Sequence, residues 1–573
     1  MKQLRRVSQA VSLLLFLFLL SRAMYPLDAS AHEQVLGILS PVVERLGGLG
    51  SAVVKVFSVG VWKPLWKLPP ETFLRLDPLV GAATMLATRS VGALWGLLWP
   101  AAVVLALAFL VGRAFCGWAC PLGTTFDIFD RIFISRRRSR AVHTPGLTPV
   151  KYLVLLLLVV WALLGVQLAG WLDPLSIATR SYGLVVHPAA DFAYRHTLLP
   201  LIQKSEGLSD RLYPAQELIN AHAKRREDTF LPPTFQQQRL FAGMLLGLLL
   251  VLFYQKRFWC RNLCPLGALL GLCAKTRVVK VTIDDRCTDC KACERACPVG
   301  AIKDRRVSPE ECTLCWLCVG SCPTGAISIS PALPTDREER FPVLPDRRLL
   351  LKTGALGLLA LPVFGLNAAR RRGESRLIRP PGARPEEEFL RRCIRCGECM
   401  KVCPEKAIQP TGLEEGLEGL WTPRLVPRMG FCIYECNDPD QPTNNLCGLV
   451  CPTGAIQRLS LTEKVAWKMG TAYIDRSKCI PWVWDKNCGK CEEHCPVPGK
   501  AIHFYQPGGR GRGGGRALGR RPSQTDAEGG LAEDLTIRRP YVIADQCTGC
   551  GQCEYVCPVE GQAAIRVDRQ QAE

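Results

Sequence analysis

Hydrophobic patterning divides the chain near Lys275. Before that point long apolar runs alternate with short basic or polar stretches; beyond it apolar residues come in twos and threes between cysteines, apart from one apolar run. The runs Ala10 to Leu20, Val91 to Val111, Val150 to Leu172 and Leu240 to Tyr254 read as four helices suited to a hydrocarbon core of about 30 Å. Arg5 and Arg6 precede the first run and Ala29-Ser30-Ala31 follows it, so it is a retained anchor or, alternatively, a signal peptide. Either reading sends the next loop outward. Arg113, Arg131 and Arg136 to Arg138 follow the second run, a long polar loop follows the third, and Lys256 and Arg257 follow the fourth. Basic loops on one side satisfy the positive-inside rule at each crossing.

These helices form a repeat. Leu76-Asp77-Pro78-Leu79 precedes a span and then Phe115-Cys116-Gly117-Trp118-Ala119-Cys120-Pro121-Leu122-Gly123; Leu172-Asp173-Pro174-Leu175 precedes a span and then Trp259-Cys260-Arg261-Asn262-Leu263-Cys264-Pro265-Leu266-Gly267. Two helices plus two in the same orientation imply a pseudo-twofold axis along the membrane normal. That axis would bring both cysteine pairs to the cytoplasmic face, where Cys116, Cys120, Cys260 and Cys264 can make one four-ligand site; separate thiol roles or a structural role are the alternatives. Asp77 and Asp173, at the outer face before helices, are expected to form turns or caps, with proton release in quinol chemistry as the sharper alternative.

Composition changes the picture through its cysteines. There are 29 in 573 residues, too many for incidental use in a chain too long for a small disulfide scaffold. By spacing they fall into seven sets of four with Cys273 left over, which is expected to be a buried apolar filler. After Lys275, Cys287, Cys290, Cys293 and Cys297 are followed by Cys312, Cys315, Cys318 and Cys322, both with the pattern C-x-x-C-x-x-C-x-x-x-C-P. Three close cysteines wrap one corner of a 4Fe-4S cubane; the fourth, before Pro and expected at the start of a helix, points to the other cluster. The expected sets are therefore crossed: Cys287, Cys290 and Cys293 with Cys322, and Cys312, Cys315 and Cys318 with Cys297. Zinc ribbons use two separated C-x-x-C knuckles and need no Cys-Pro end.

Four more motifs follow. Cys393, Cys396, Cys399, Cys403 and Cys547, Cys550, Cys553, Cys557 are regular; Cys432, Cys436, Cys447, Cys451 and Cys479, Cys488, Cys491, Cys495 are stretched. Spacing leaves open which motifs exchange their fourth cysteine. After each Cys-Pro end a short segment leads to an Ile, as in Cys297 to Ile302 and Cys322 to Ile327, where a strand is expected to begin. The Gly/Arg-rich stretch Pro507 to Gly530 reads as a flexible insertion, not a nucleic-acid site.

On these motifs the first half resembles NapH-type membrane ferredoxins, with four spans, two C-x-x-x-C-P-L-G motifs and a two-cluster ferredoxin. The second half resembles the NapG and MauM type of four-cluster ferredoxin, so the chain resembles a fusion of the two. The resemblance implies quinol oxidation with the four-cluster part outside the cytoplasm. Between the halves, Asp346-Arg347-Arg348-Leu349-Leu350-Leu351-Lys352 and the apolar Thr353 to Ala368 look like a twin-arginine signal kept as a fifth span, the alternative being a helix on the membrane with all that follows still inside.

The expected architecture is an α-helical membrane unit with two α+β ferredoxin-like domains: a four-span unit at 1–274, a two-cluster ferredoxin at 275–332, a linker and fifth span at 333–372, and a four-cluster ferredoxin at 373–573. Six 4Fe-4S clusters are expected, with a seventh if the membrane cysteines share one. The expected role is electron transfer between the quinol pool and a periplasmic reductase or cytochrome, at the bacterial inner membrane, with the two-cluster domain cytoplasmic and the four-cluster domain periplasmic. The alternative is an accessory protein resembling NosR and CcoG, serving metal-centre maturation or reductase activation. No C-x-x-C-H haem motif or dinucleotide fingerprint after a predicted strand occurs, no catalytic side chain of the chain's own stands out, and His187 and His196 are expected at the surface.

Overall fold

The computed structural model describes residues 2–24, 68–90, 92–134, 147–193, 196–197, 200, 234–331, 346–370, 377–436, 445–505 and 537–569. The Ala29-Ser30-Ala31 site, Arg136 to Arg138 and the Pro507 to Gly530 insertion lie outside these residues.

The first apolar run is one helix, Lys2–Met24, which at about 1.5 Å per residue extends about 34 Å. Near its start Arg5 pairs with Asp127 at 2.6 Å and Ser12 donates to the Ala119 carbonyl at 2.6 Å, beside the first Cys-x-x-x-Cys motif. Farther along, Phe16, Leu19 and Leu20 share a buried core that reaches Ile394 and Cys396 in the second half of the chain. This helix therefore links the end of the bundle that carries the paired motifs to the end on which the four-cluster part rests.

Helices Pro78–Thr88, Gly92–Val111, Val150–Leu163 and Gln238–Tyr254 complete the bundle. Among the described residues, one helix, through its stretch Gln3–Leu20, is long and apolar enough to cross a membrane; Pro78–Thr88, Trp99–Val111, Val150–Leu163 and Gln238–Tyr254 are shorter apolar helices. The expected run Val150 to Leu172 is not one helix. Its helix ends at Leu163, the chain turns through Gly165 at φ +88°, and a separate turn of helix, Ala169–Leu172, leads to Asp173. The physical reason is local: Gly165 adopts a left-handed conformation that interrupts the helix, and the Asp-Pro pair that follows starts another.

Asp77 and Asp173 do cap helices. Asp77 Oδ1 accepts from the N–H groups of Leu79 and Val80 at 2.8 and 3.2 Å, and Asp173 Oδ2 from that of Ser176 at 2.6 Å. Both are fully buried and within electrostatic reach of each other across the two repeats, and the second carboxyl oxygen of each, Asp77 Oδ2 and Asp173 Oδ1, has no hydrogen-bond partner.

The twin-arginine-like segment forms a helix, Arg347–Arg370, packed along Val150–Leu163; Trp161 Nε1 donates to the Gly357 carbonyl at 3.0 Å. Among the described residues the cysteine-rich regions hold five two-stranded antiparallel sheets. Strand β1, Val279–Ile283, pairs with β4, Ile327–Pro331, and β2, Ile302–Lys303, with β3, Arg306–Val307. In the second half β5, Ile408–Pro410, pairs with β6, Pro423–Leu425; β7, Thr471–Ile474, with β10, Ile565–Asp568; and β8, Ile502–Tyr505, with β9, Arg539–Val542. The Ile after a Cys-Pro end begins β2, β4, β5, β8 and β10, as the repeat predicts. Tyr505 pairs with Arg539, so the Gly/Arg-rich insertion leaves and re-enters at one point of a hairpin.

Candidate metal centres

The two Cys-Pro types are built differently. In the bundle, Cys120 and Cys264 are N-cap residues of helices Pro121–Phe129 and Pro265–Cys273. In the ferredoxin motifs, Cys297 and Cys403 instead end helices Ala292–Ala296 and Glu398–Val402, and Cys322 ends the 3-10 turn Val319–Ser321. The expected helix start at the fourth cysteine is thus corrected to a helix end. A residue before proline is pushed into extended backbone, which stops a helix as readily as it precedes one.

All 24 ferredoxin cysteines lie among the described residues as free thiols, and the structure gathers them into crossed sets. Cys312, Cys315 and Cys318 line one cavity with Cys297. Arg286, next to Cys287, is within electrostatic reach of Cys322, in keeping with the expected set of Cys287, Cys290 and Cys293 with Cys322. In the second half neighbouring motifs exchange. Cys393, Cys396 and Cys399 face Cys451. Cys432, Cys436 and Cys447 line a cavity with Cys403. Cys547, Cys550 and Cys553 gather with Cys495, and Cys479, Cys488 and Cys491 line a cavity with Cys557.

These four sets form a line. Cys399 of the first lies near Cys447 of the second; the Cys432 N–H of the second donates to the Cys550 carbonyl of the third at 2.8 Å; Cys553 of the third lies near Cys491 of the fourth. The thiols suit iron-sulfur ligation. Backbone N–H groups point at sulfur, from Ala301 to Cys297 at 3.2 Å, Ala472 to Cys547 at 3.3 Å and Ala501 to Cys495 at 3.4 Å. Burial, then the neighbouring thiols Cys312 and Cys315, push the Cys318 thiol up to about 12, so a bound cation is what would hold it as thiolate. Among the described residues no three His, Cys, Asp or Glu side chains stand close enough for a single metal ion, whereas in a cubane each thiolate binds a different iron.

The bundle cysteines form a further set. Cys116, Cys120, Cys260 and Cys264 are all buried and within electrostatic reach of one another, and the Gly267 N–H donates to Cys264 Sγ at 3.2 Å. Two arginines that the motif reading passed over hold the tetrad. Arg113 and Arg257 each lie three residues before the first cysteine of a repeat, and each reaches across the axis: Arg113 donates to the Cys260 carbonyl at 3.2 Å and Arg257 to the Cys116 carbonyl at 3.0 Å. Their equal offset from the motif was the available signal. Their acids break the symmetry. Arg257 pairs with Asp127 of the bundle at 2.8 Å, but Arg113 pairs with Glu311 of the two-cluster domain, also at 2.8 Å. Lys151 bonds the same Glu311, and the Tyr152 hydroxyl donates to it at 3.1 Å. Trp118 Nε1, from between the tetrad's first two cysteines, donates to the Leu314 carbonyl at 3.0 Å, which seats the cavity of Cys297, Cys312, Cys315 and Cys318 beside the tetrad.

The opposite end carries the four-cluster part. Ile394 packs over Gly170, Arg180 Nη1 donates to the Arg395 carbonyl at 3.3 Å, and Arg395 reaches the Gln167 carbonyl. Arg458 pairs with Glu71 at 3.6 Å. The first set, Cys393 to Cys399 with Cys451, is therefore the one against the bundle. Cys273 is buried in the bundle core, as expected of a filler. His196 is exposed against Phe192 and His187 is half-buried.

Comparison with known proteins fits this arrangement. The chain is 34% identical over 232 residues to the methylamine utilization ferredoxin-type protein MauM of Methylorubrum extorquens, covering 39% of this chain and 90% of that one. It is 34% identical over 217 residues to MauM of Paracoccus denitrificans, 37% of this chain and 82% of that one. Against the ferredoxin-type protein NapG of Escherichia coli it is 34% identical over 213 residues, 37% and 79% of the two chains. The chain belongs to the MauM and NapG family of ferredoxin-type proteins. Residues 92–141, 237–283 and 447–464 match a 4Fe-4S binding domain, 280–303 a second such domain, and 311–408 and 486–560 4Fe-4S dicluster domains. The first two of these segments hold the two Cys-x-x-x-Cys-Pro motifs of the bundle. No solved structure matches. As a MauM and NapG relative, the protein is an iron-sulfur electron-transfer protein.

Proposed function

We propose that this chain is a membrane-embedded electron conduit between the quinol pool and a partner reductase or cytochrome outside the cytoplasm. The observation that carries the reading is the placement of the two cysteine-rich parts on opposite ends of one bundle, with the Cys116, Cys120, Cys260 and Cys264 tetrad against the two-cluster domain. Exposed apolar side chains on the bundle's outer helices, among them Leu107, Leu110, Leu246, Leu250, Leu356 and Leu359, support a lipid-facing surface, because a water-facing one would be far less apolar. The 24 ferredoxin cysteines would hold six 4Fe-4S clusters and the tetrad a seventh; each cluster supplies one-electron transfer at a potential set by burial and hydrogen bonds to sulfur.

The chain's own residues do the positioning. Arg113 and Arg257 tie the two repeats together around the tetrad, Glu311 fixes the two-cluster domain to it, and the Ile394–Cys396 loop brings the first set of the four-cluster part to the bundle. Asp77 and Asp173, buried within reach of each other in the bundle, are placed to exchange protons when quinol is oxidised nearby.

Two measurements test the reading. Cleavage within Pro507 to Gly530 by added protease is expected in intact spheroplasts; cleavage only in inverted vesicles would put both ferredoxin parts on the cytoplasmic side and end the export model. Purified protein is expected to carry about 28 iron atoms per chain, against about 24 if the tetrad holds no cluster. Copper in place of the extra iron would favour the accessory role.

A further inference from the structure

In the second set of the four-cluster line, Cys403, Cys432, Cys436 and Cys447, a buried ammonium bonds directly to sulfur. Lys464 Nζ donates to Cys436 Sγ at 2.8 Å, with Lys464 only 2% exposed. Its position is fixed by sequence. Ser460 caps helix Leu461–Ala466, whose third residue, Glu463, returns a bond to the Ser460 N–H at 2.8 Å; this capping box sets the helix that carries Lys464. Among the described residues lining that cavity Lys464 is the cation and Glu405 the acid, and the buried Lys406 also lies within electrostatic reach of Cys403. The cavity of Cys297, Cys312, Cys315 and Cys318 is lined by no charged residue, and Lys490, at the cavity of Cys479, Cys488, Cys491 and Cys557, is exposed.

A positive charge held against a cluster thiolate stabilises the reduced cluster, which carries one more negative charge, and does so more strongly where water is excluded. From this we infer that Lys464 raises the reduction potential of the second cluster. The inference rests on the reading that these cysteines hold clusters. It also gives the stretched motif a use: Cys436 and Cys447 are far apart in sequence, and Cys436 is the ligand that meets Lys464.

The test is an EPR-monitored redox titration of purified full-length protein, wild type against Lys464→Gln, Lys464→Arg and Glu405→Gln, with iron content measured for each. Lys464→Gln, with iron unchanged, is expected to lower the midpoint of a single cluster and leave the others in place. Lys464→Arg keeps the charge and is expected to keep that midpoint; Glu405→Gln removes a negative charge and is expected to raise it. Unmoved midpoints in fully loaded Lys464→Gln, or an equal shift of every cluster, would overturn the inference while leaving the cluster reading intact. If Lys464→Gln loses iron, the Arg and Glu405→Gln titrations decide: a midpoint lowered by Arg, or unmoved or lowered by Glu405→Gln, overturns it. Wild-type protein without iron-sulfur signals would instead defeat the underlying reading.

Discussion

Glu386 stands at the base of the four-cluster part, where Arg379 grips it with Nε at 3.0 Å and Arg569 approaches at 3.4 Å. Burial alone would raise its carboxyl, but the charge of Arg379, aided by Arg569, wins and holds it below the ordinary carboxylate value. A depressed folded-state value contributes stability that is fully present above the unfolded value of 4.5 and is lost as pH falls through the folded one. Glu386→Gln should therefore flatten the acid side of the stability profile and cost most near neutral pH, as read by thermal unfolding from pH 7 downward. A profile parallel to wild type would show the pair to be without effect. The bundle aspartates call for a different substitution. Asn caps a helix about as well as Asp, so Asp173→Asn should fold like wild type, whereas Asp173→Ala should lose about 1 kcal/mol through the unmet Ser176 N–H. Equal losses in both variants, by denaturant titration in detergent, would mean that the carboxyl pair and not the cap carries the stability.

Among the elements, the crossing of cysteines is the feature with the sharpest consequence. Cys451 belongs by sequence to the motif of Cys432, Cys436 and Cys447 but lies against Cys393, Cys396 and Cys399. Cys451→Ala should therefore remove about four iron atoms from the first cluster and spare the one beside Lys464, and Cys403→Ala should do the reverse. EPR of the two variants separates the outcomes, because only the second should erase the signal that Lys464→Gln shifts. This crossing was half legible. The Cys-Pro end and the following Ile announced the fourth ligand and its strand, but spacing along the chain could not say which neighbour it would meet, since that depends on how strands such as β5 and β6 pack. The helix beginning expected at Cys297 turned out to be a helix end, because proline restricts the backbone before it without dictating which side is helical. Lys464 had no motif to mark it, being 13 residues beyond Cys451 and buried only once its own helix is capped.

The whole molecule depends on how closely the four-cluster part sits on the bundle. The bundle's repeat was plain in the paired Asp-Pro and Cys-Pro motifs, yet the contacts that join it to the ferredoxin parts use residues without a signature, such as Glu311, Arg395 and Gly170. At Gly170 the approach is tightest: an added Cβ would fall 1.8 Å from the Ile394 carbonyl oxygen and 2.6 Å from its carbon, both backbone atoms that a rotamer change cannot move. Gly170→Ala should thus displace the loop that carries Cys396, at about 1–3 kcal/mol for an overpacked contact, and widen the step between bundle and first cluster. Hydrogen exchange at Ile394 to Cys396 should rise, while exchange in β8 and β9, far along the line of sets, should not. Quinol-driven reduction of the four-cluster part should slow, while its reduction by a soluble chemical reductant stays at the wild-type rate. If quinol reduces it as fast as before despite a loosened loop, electrons reach these clusters by a route other than the Ile394 contact, and the bundle and the four-cluster part would not form one continuous line.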